Sequence, residues 1–236
     1  MANEKNGDKF LMATLLKPTT RYIQIAFNHS FYDVRNILPQ IPQDKRIIIE
    51  AGTPYIKREG IAGIRYIRRY WRGFLVADLK VTDGAFEEVS FAYSAGANSI
   101  TALGTAPIET LDFFNQTCKR FGIISMIDML GQQNPLKKLM MLKNKPDVVV
   151  IHKGRDEEVN PRNIIRYKDI NKIRSKYDVK ISIAGGLNQD SVRKAYFNGG
   201  NIAILNIVKI NDKNKGLIDT SNFGTLIPSI LEQVGK

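Results

Sequence analysis

Eight short runs rich in β-branched and aliphatic residues recur along the 236-residue chain. They are Tyr22–Phe27, Arg46–Glu50, Phe74–Asp78, Ser99–Leu103, Ile123–Asp128, Val148–His152, Lys180–Ala184 and Ile202–Leu205. Each starts roughly 22 to 32 residues after the last, the room that a strand, a crossover helix and two loops require. Helical patterns fill the gaps. Ile61, Ile64, Ile67 and Trp71 make one apolar stripe. Pro107 suits the first turn of a helix over 108–120. Asn188 or Asp190 can cap a helix running to Phe197, which Gly199-Gly200 can end. Eight alternating units predict a single-domain (β/α)8 TIM barrel over residues 21–236. Residues 1–20 then form an N-terminal extension, either laid across the bottom of the barrel or partly disordered.

Composition fits a globular protein, with 43% hydrophobic and 25% charged residues. No apolar run approaches the roughly 18 residues of a membrane span, so no membrane partner is expected. The polar N-terminus lacks a secretory core. A single cysteine, Cys118, cannot form an intramolecular disulfide, and a cytoplasmic protein with Cys118 packed on a helix is expected. The net charge of +12 leaves nucleic acid open as a partner. Its lysines and arginines nevertheless fall singly or in pairs on the outer faces of helices, as a solvated surface would place them.

In such a barrel the chemistry sits at the C-terminal ends of the strands. The first strand ends at Asn28, the second at Glu50 and the fifth at Asp128. The third ends in Asp78-Leu79-Lys80-Val81-Thr82-Asp83, where burying three charges is costly unless they are paired or hold a metal. Asp78 and Lys80 are expected on one face of that strand. Glu50 and Asp78, on neighbouring strands, suit Mg²⁺, which takes one or two carboxylates and completes its shell with water and substrate oxygens. Lys80 suits stabilisation of an oxyanion. His152, at the end of strand six and near Arg155, suits proton transfer near neutral pH. Gly185-Gly186, opening a helix after strand seven, offers backbone N–H groups to a phosphate, although such a pair also serves any tight turn.

These residues lie in stretches that resemble a known family. The stretches are 49–57, 77–83, 95–98, 126–129, 152–156 and 183–188, spread over about residues 22–210. Together they are similar to the orotidine-monophosphate-decarboxylase superfamily, and within it to the 3-hexulose-6-phosphate synthase and 3-keto-L-gulonate-6-phosphate decarboxylase group. The similarity is greatest to archaeal hexulose-phosphate synthases. Those often carry a fused formaldehyde-activating domain, which is not expected within these 236 residues.

The resemblance implies a homodimeric barrel with shared active sites. It makes Glu50 and Asp78 ligands of Mg²⁺, Lys80 the catalytic lysine and His152 the proton-transfer histidine. Asp83 becomes the residue that reaches into the partner's site. The implied chemistry is a Mg²⁺-stabilised enediolate of a ketose phosphate. In the synthase it forms from ribulose 5-phosphate and attacks formaldehyde; in the decarboxylase it forms by loss of CO₂. The chain also departs from the family pattern. Asn28 replaces the first-strand aspartate, and Arg155 stands where the decarboxylase branch has its proton-delivering arginine. Leu205-Asn206-Ile207-Val208 replaces the glycine-containing phosphate motif after strand eight, leaving Asn206 or Lys209 to take its place. A decarboxylase, or a barrel that binds another ligand or nucleic acid without the family reaction, is therefore the alternative.

Overall fold

The computed structural model describes residues 16–160 and 162–235. Eight parallel strands follow one another around a closed barrel: β1 (Tyr22–Phe27), β2 (Ile47–Ala51), β3 (Phe74–Val81), β4 (Ser99–Leu103), β5 (Ile124–Asp128), β6 (Val148–His152), β7 (Lys180–Ala184) and β8 (Ile202–Val208). Pairing of β1 with β8, with Ile23 opposite Ala203 and Ala26 opposite Asn206, closes the ring. A two-residue strand, β9 (Leu217–Ile218), adds to the outer end of β8. The helices are α1 (Phe31–Ile37), α2 (Thr53–Tyr70), α3 (Ala85–Ser94), α4 (Ile108–Phe121), α5 (Pro135–Met141), α6 (Lys168–Arg174), α7 (Val192–Phe197) and α8 (Phe223–Val234). The chain is thus the (β/α)8 barrel that its periodicity predicts. Of the expected N-terminal extension, residues 1–15 lie outside the described residues.

Strand alternation explains why the runs are apolar on both sides. Tyr22, Ile48, Val76, Met126, Val148 and Ile202 point into the barrel and pack together, with Leu16 beside them. Their neighbours Ile23, Ile49, Leu75, Ile127, Val149 and Ala203 point outward into the larger core that the helices cover. Each fully buried Ile or Val contributes about 1.5–3 kcal/mol, so a charged substitution at Ile49 on the strand–helix face would break the fold rather than tune it. Ile64 and Ile67 on α2, and Trp71 just past its end, are buried as the stripe predicts, while Ile61 is half-buried. That helix is interrupted at Gly60, whose φ of 61° and ψ of −156° are not helical.

Several boundaries differ from the sequence reading for identifiable reasons. Helix α7 starts at Val192 with Ser191 as its cap. Asn188 acts one turn earlier, accepting from the Ser191 backbone N–H at 3.1 Å and its hydroxyl at 2.8 Å. Strand β8 continues three residues past Leu205, because β9 pairs with its end. Strand β3 runs on to Val81 through a bulge: Ala77 pairs with Ile100 and Val81 with Ala102, so three residues oppose one. Within that bulge Lys80 has φ +50°, and it is the one non-glycine residue in the left-handed region among those described. That conformation costs roughly 1–2 kcal/mol in an L-residue.

Candidate active site

The bulge aims the β3 charges at the mouth of the barrel. Asp78 Oδ1 accepts a hydrogen bond from Thr101 Oγ1 at 2.7 Å, while Oδ2 accepts from Thr53 Oγ1 at 2.7 Å and Lys80 Nζ at 2.6 Å. The Lys80 backbone N–H also donates to Thr101 Oγ1 at 2.9 Å, which anchors the strained residue to β4. Lys80 Nζ lies 3.1 Å from Asp128 Oδ2 on β5, and His152 Nδ1 on β6 lies 2.8 Å from the same oxygen. The Leu130 backbone N–H donates to Asp128 Oδ1 at 3.0 Å. A continuous chain of contacts thus runs Thr53–Asp78–Lys80–Asp128–His152. Glu50, buried beside it, accepts from Gln24 Nε2 inside the barrel.

Burial and pairing pull the titrations apart. Burial, reinforced by the charge on Asp78, pushes the Glu50 carboxyl up to about 7, against the pull of Lys80 and Gln24. Burial would also raise Asp128, but His152 and Lys80 outweigh it and hold this carboxyl well below the usual range. Lys80 is desolvated, which alone would lower its ammonium, yet Asp78 and Asp128 raise it, so it stays charged. Burial likewise works to lower His152, and Asp128 reverses the sign and raises it. The result is a fixed ammonium and a histidine that favours its protonated form, next to a carboxyl, Glu50, poised to lose or gain a proton.

Glu50, Asp78, Lys80, His152, Arg155, Asn28 and Asn206 all line one cavity of about 340 Å³ at the strand ends. A cavity of about 360 Å³ at the opposite end of the barrel has Asp147 on its wall, already engaged by the Ser125 backbone N–H and hydroxyl. It holds none of the strand-end residues. No group of three or more His, Cys, Asp or Glu side chains that could hold a metal is gathered among the described residues. The donor set at the mouth is two carboxylates, which fits an ion that draws its remaining ligands from water and substrate. The raised Glu50 supports that fit, since a cation beside two crowded carboxylates would relieve their repulsion.

At the rim, Asn28 Nδ2 donates to Asn206 Oδ1 at 3.0 Å, joining the two positions at which the chain departs from the resembled pattern. A Cβ on Gly52 would stand 2.1 Å from Asn28 Oδ1, so the glycine leaves room for that side chain. Ile207 is buried on the outer side of β8 and stays out of the cavity. Lys209 is held by Asp33 at 2.5 Å and Asp219 at 2.9 Å. Arg155 pairs with Asp212 at 2.5 Å. Gly185 and Gly186 have φ of +114° and +65°, values that glycine alone adopts readily. Asp83 is exposed just past β3 and forms no ion pair among the described residues. Gln24, Thr53, Thr101 and Asp128 hold the predicted residues in place, and of these the sequence marks only Asp128, as a strand end.

The sequence matches the family model described as "Orotidine 5'-phosphate decarboxylase / HUMPS family" over residues 21–205. The chain belongs to this family. Curated relatives include a "Bifunctional enzyme Fae/Hps" of Methanocaldococcus jannaschii, 37% identical over 175 residues, which cover 73% of this chain and 44% of the relative. A protein of the same name from Methanosarcina mazei is 36% identical over 197 residues, covering 82% and 49%. The chain thus spans about half the length of these relatives. Among solved structures, 3-hexulose-6-phosphate synthase from Salmonella typhimurium superposes with a TM-score of 0.77 at 23% identity, covering 90% of this chain and 99% of that one. KGPDC from Streptococcus mutans gives 0.71 at 17% identity, covering 92% and 99%. At those identities the likeness concerns the barrel itself.

Proposed function

We propose that this family member is a cytoplasmic aldehyde-lyase of the hexulose-phosphate-synthase type, joining formaldehyde reversibly to ribulose 5-phosphate. The observation that carries the reading is the Lys80 ammonium, fixed between Asp78 and Asp128 at the cavity wall. It supplies positive charge where an enediolate develops negative charge, and its elevated proton affinity makes it a counter-charge rather than a base. His152 has Nδ1 committed to Asp128, which leaves Nε2 to move the substrate proton. In its neutral form His152 takes the C1 proton of ribulose 5-phosphate on Nε2, and the resulting enediolate carbon forms a bond to the formaldehyde carbon. The formaldehyde oxygen then takes up that proton from the imidazolium. Glu50 and Asp78 would hold Mg²⁺, which would supply further positive charge at the site.

Two features favour the synthase over the decarboxylase. The curated relatives carry the Hps name, and Arg155 is already engaged by Asp212. A homodimer accompanies the reading: exposed Asp83 adjoins exposed Phe86, with Phe91 and Tyr93 exposed on the same helix α3. Formaldehyde release from hexulose 6-phosphate, assayed with and without Mg²⁺, tests the proposal. Turnover that depends on Mg²⁺ and disappears in Lys80→Ala is expected. No turnover by the wild-type chain would sink it.

A further inference from the structure

The turn that would receive the substrate phosphate already faces a carboxylate. Glu158 sits in the short 3-10 turn Asp156–Val159 that follows β6. A Cβ placed on Gly186 would stand 2.8 Å from Glu158 Oε2 and 3.0 Å from its Cδ, so the carboxylate covers the open face of that glycine. The neighbouring space over Gly185 belongs to Lys153, whose carbonyl oxygen would be 2.5 Å from a Cβ there. Glu158 Oε2 is buried and accepts no hydrogen bond among the described residues. An orphaned buried acceptor of this kind is expensive and calls for an explanation. Burial raises the carboxyl of Glu158, opposed by the Lys215 backbone N–H and the charges of Lys153 and Arg155.

Two of the cations around this turn are already engaged by other carboxylates. The Arg155–Asp212 pair, at 2.5 Å, ties the turn after β6 to the segment between β8 and β9. That segment crosses the end of β8 closely enough that a Cβ on Gly216 would stand 2.3 Å from the Asn206 carbonyl oxygen. Arg155 is taken by Asp212, and Lys209 by Asp33 and Asp219, while Lys153, beside Gly185, places its charge near Glu158.

We propose that Glu158 is a resident anion at the phosphate subsite, and that a phosphate monoester enters over Gly186 only by displacing it. Glu158 thereby sets the affinity of this site for phosphorylated ligands. The inference rests on reading Gly185-Gly186 as the phosphate-binding turn. It accounts for the orphaned oxygen, which gives up no hydrogen bond when it is displaced.

The test is binding of inorganic phosphate to the full chain by titration calorimetry, so turnover plays no part in it. Removing a like charge at close range is expected to tighten phosphate about tenfold in Glu158→Gln and in Glu158→Ala. Glu158→Asp, which withdraws the charge by one methylene, should tighten it less. Glu232→Gln removes the same charge from the exposed face of α8 and should leave the affinity unchanged. Wild-type affinity in the Gln and Ala variants, equal tightening in Glu232→Gln, or no phosphate binding by any form overturns the proposal. Tighter phosphate binding without aldol turnover would retain the inference and remove the lyase reading. Turnover with unchanged phosphate affinity would do the reverse.

Discussion

Lys80 and Asp128 meet across the barrel mouth, with Nζ 3.1 Å from Oδ2, although 48 positions (128 − 80) separate them in the chain. The contact exists because β3 bulges before its last residue and turns Lys80 inward with a positive φ. It links the ammonium on β3 to the histidine on β6 through one shared carboxylate.

Removing that ammonium has two expected effects. Lys80→Ala should lower kcat/KM by about 10²–10³-fold or more, since the lost interaction opposes charge present only in the intermediate. It should also destabilise the fold by about 3–5 kcal/mol, because Asp78 and Asp128 lose their buried partner. Steady-state kinetics and urea denaturation measure both; a variant of wild-type stability would show that the carboxylates do not depend on Lys80.

The strained backbone predicts an order between two variants that both lack the ammonium. Lys80→Gly should be more stable than Lys80→Ala by about 1 kcal/mol, because glycine adopts a positive φ without penalty. Equal or inverted stabilities in denaturant titrations would mean that the bulge relaxes once the side chain is gone.

Glu50 predicts a pH dependence of stability. Its folded-state pKa of about 7 lies above the ordinary carboxyl value of 4.5, so between those pH values the folded chain binds more protons than the unfolded one. The stability contributed by protonated Glu50 is fully present below about pH 4.5 and is lost as pH rises through 7. Without divalent cations, the wild type should lose on the order of 1–3 kcal/mol relative to Glu50→Gln across this window. Added Mg²⁺ should restore stability above it. Thermal melts that run parallel in the two proteins would contradict this.

His152 is one of two histidines, which makes its imidazole easy to follow by NMR. Asp128 raises its pKa against burial, so Asp128→Asn should move the titration of His152 downward and leave that of His29 in place. An unmoved His152 would mean that the 2.8 Å contact does not set its charge.

The barrel was legible because period and spacing are local properties: eight β-branched runs at near-constant intervals leave few other topologies. The strand-end carboxylates were legible for the same reason, since a strand's last inward residue can be counted. What could not be counted was register. The β3 bulge needs β4 as a reference, so the strained Lys80 and its anchor Thr101 emerged only once the strands were paired. Gln24 read as an ordinary strand residue until Glu50 appeared beside it. The engagement of Lys209 and Arg155 was equally hidden, because their acidic partners come from α1 and from the segments flanking β9.

The most direct test of the central claim leaves formaldehyde out. Ribulose 5-phosphate incubated with the protein and Mg²⁺ in D₂O should exchange a C1 hydrogen for deuterium, followed by proton NMR. Exchange by the wild type, abolished in Lys80→Ala and greatly slowed in His152→Ala, is the predicted result. Absence of exchange in the wild-type protein, or equal exchange in all three, would contradict an enediolate held by Lys80 and served by His152.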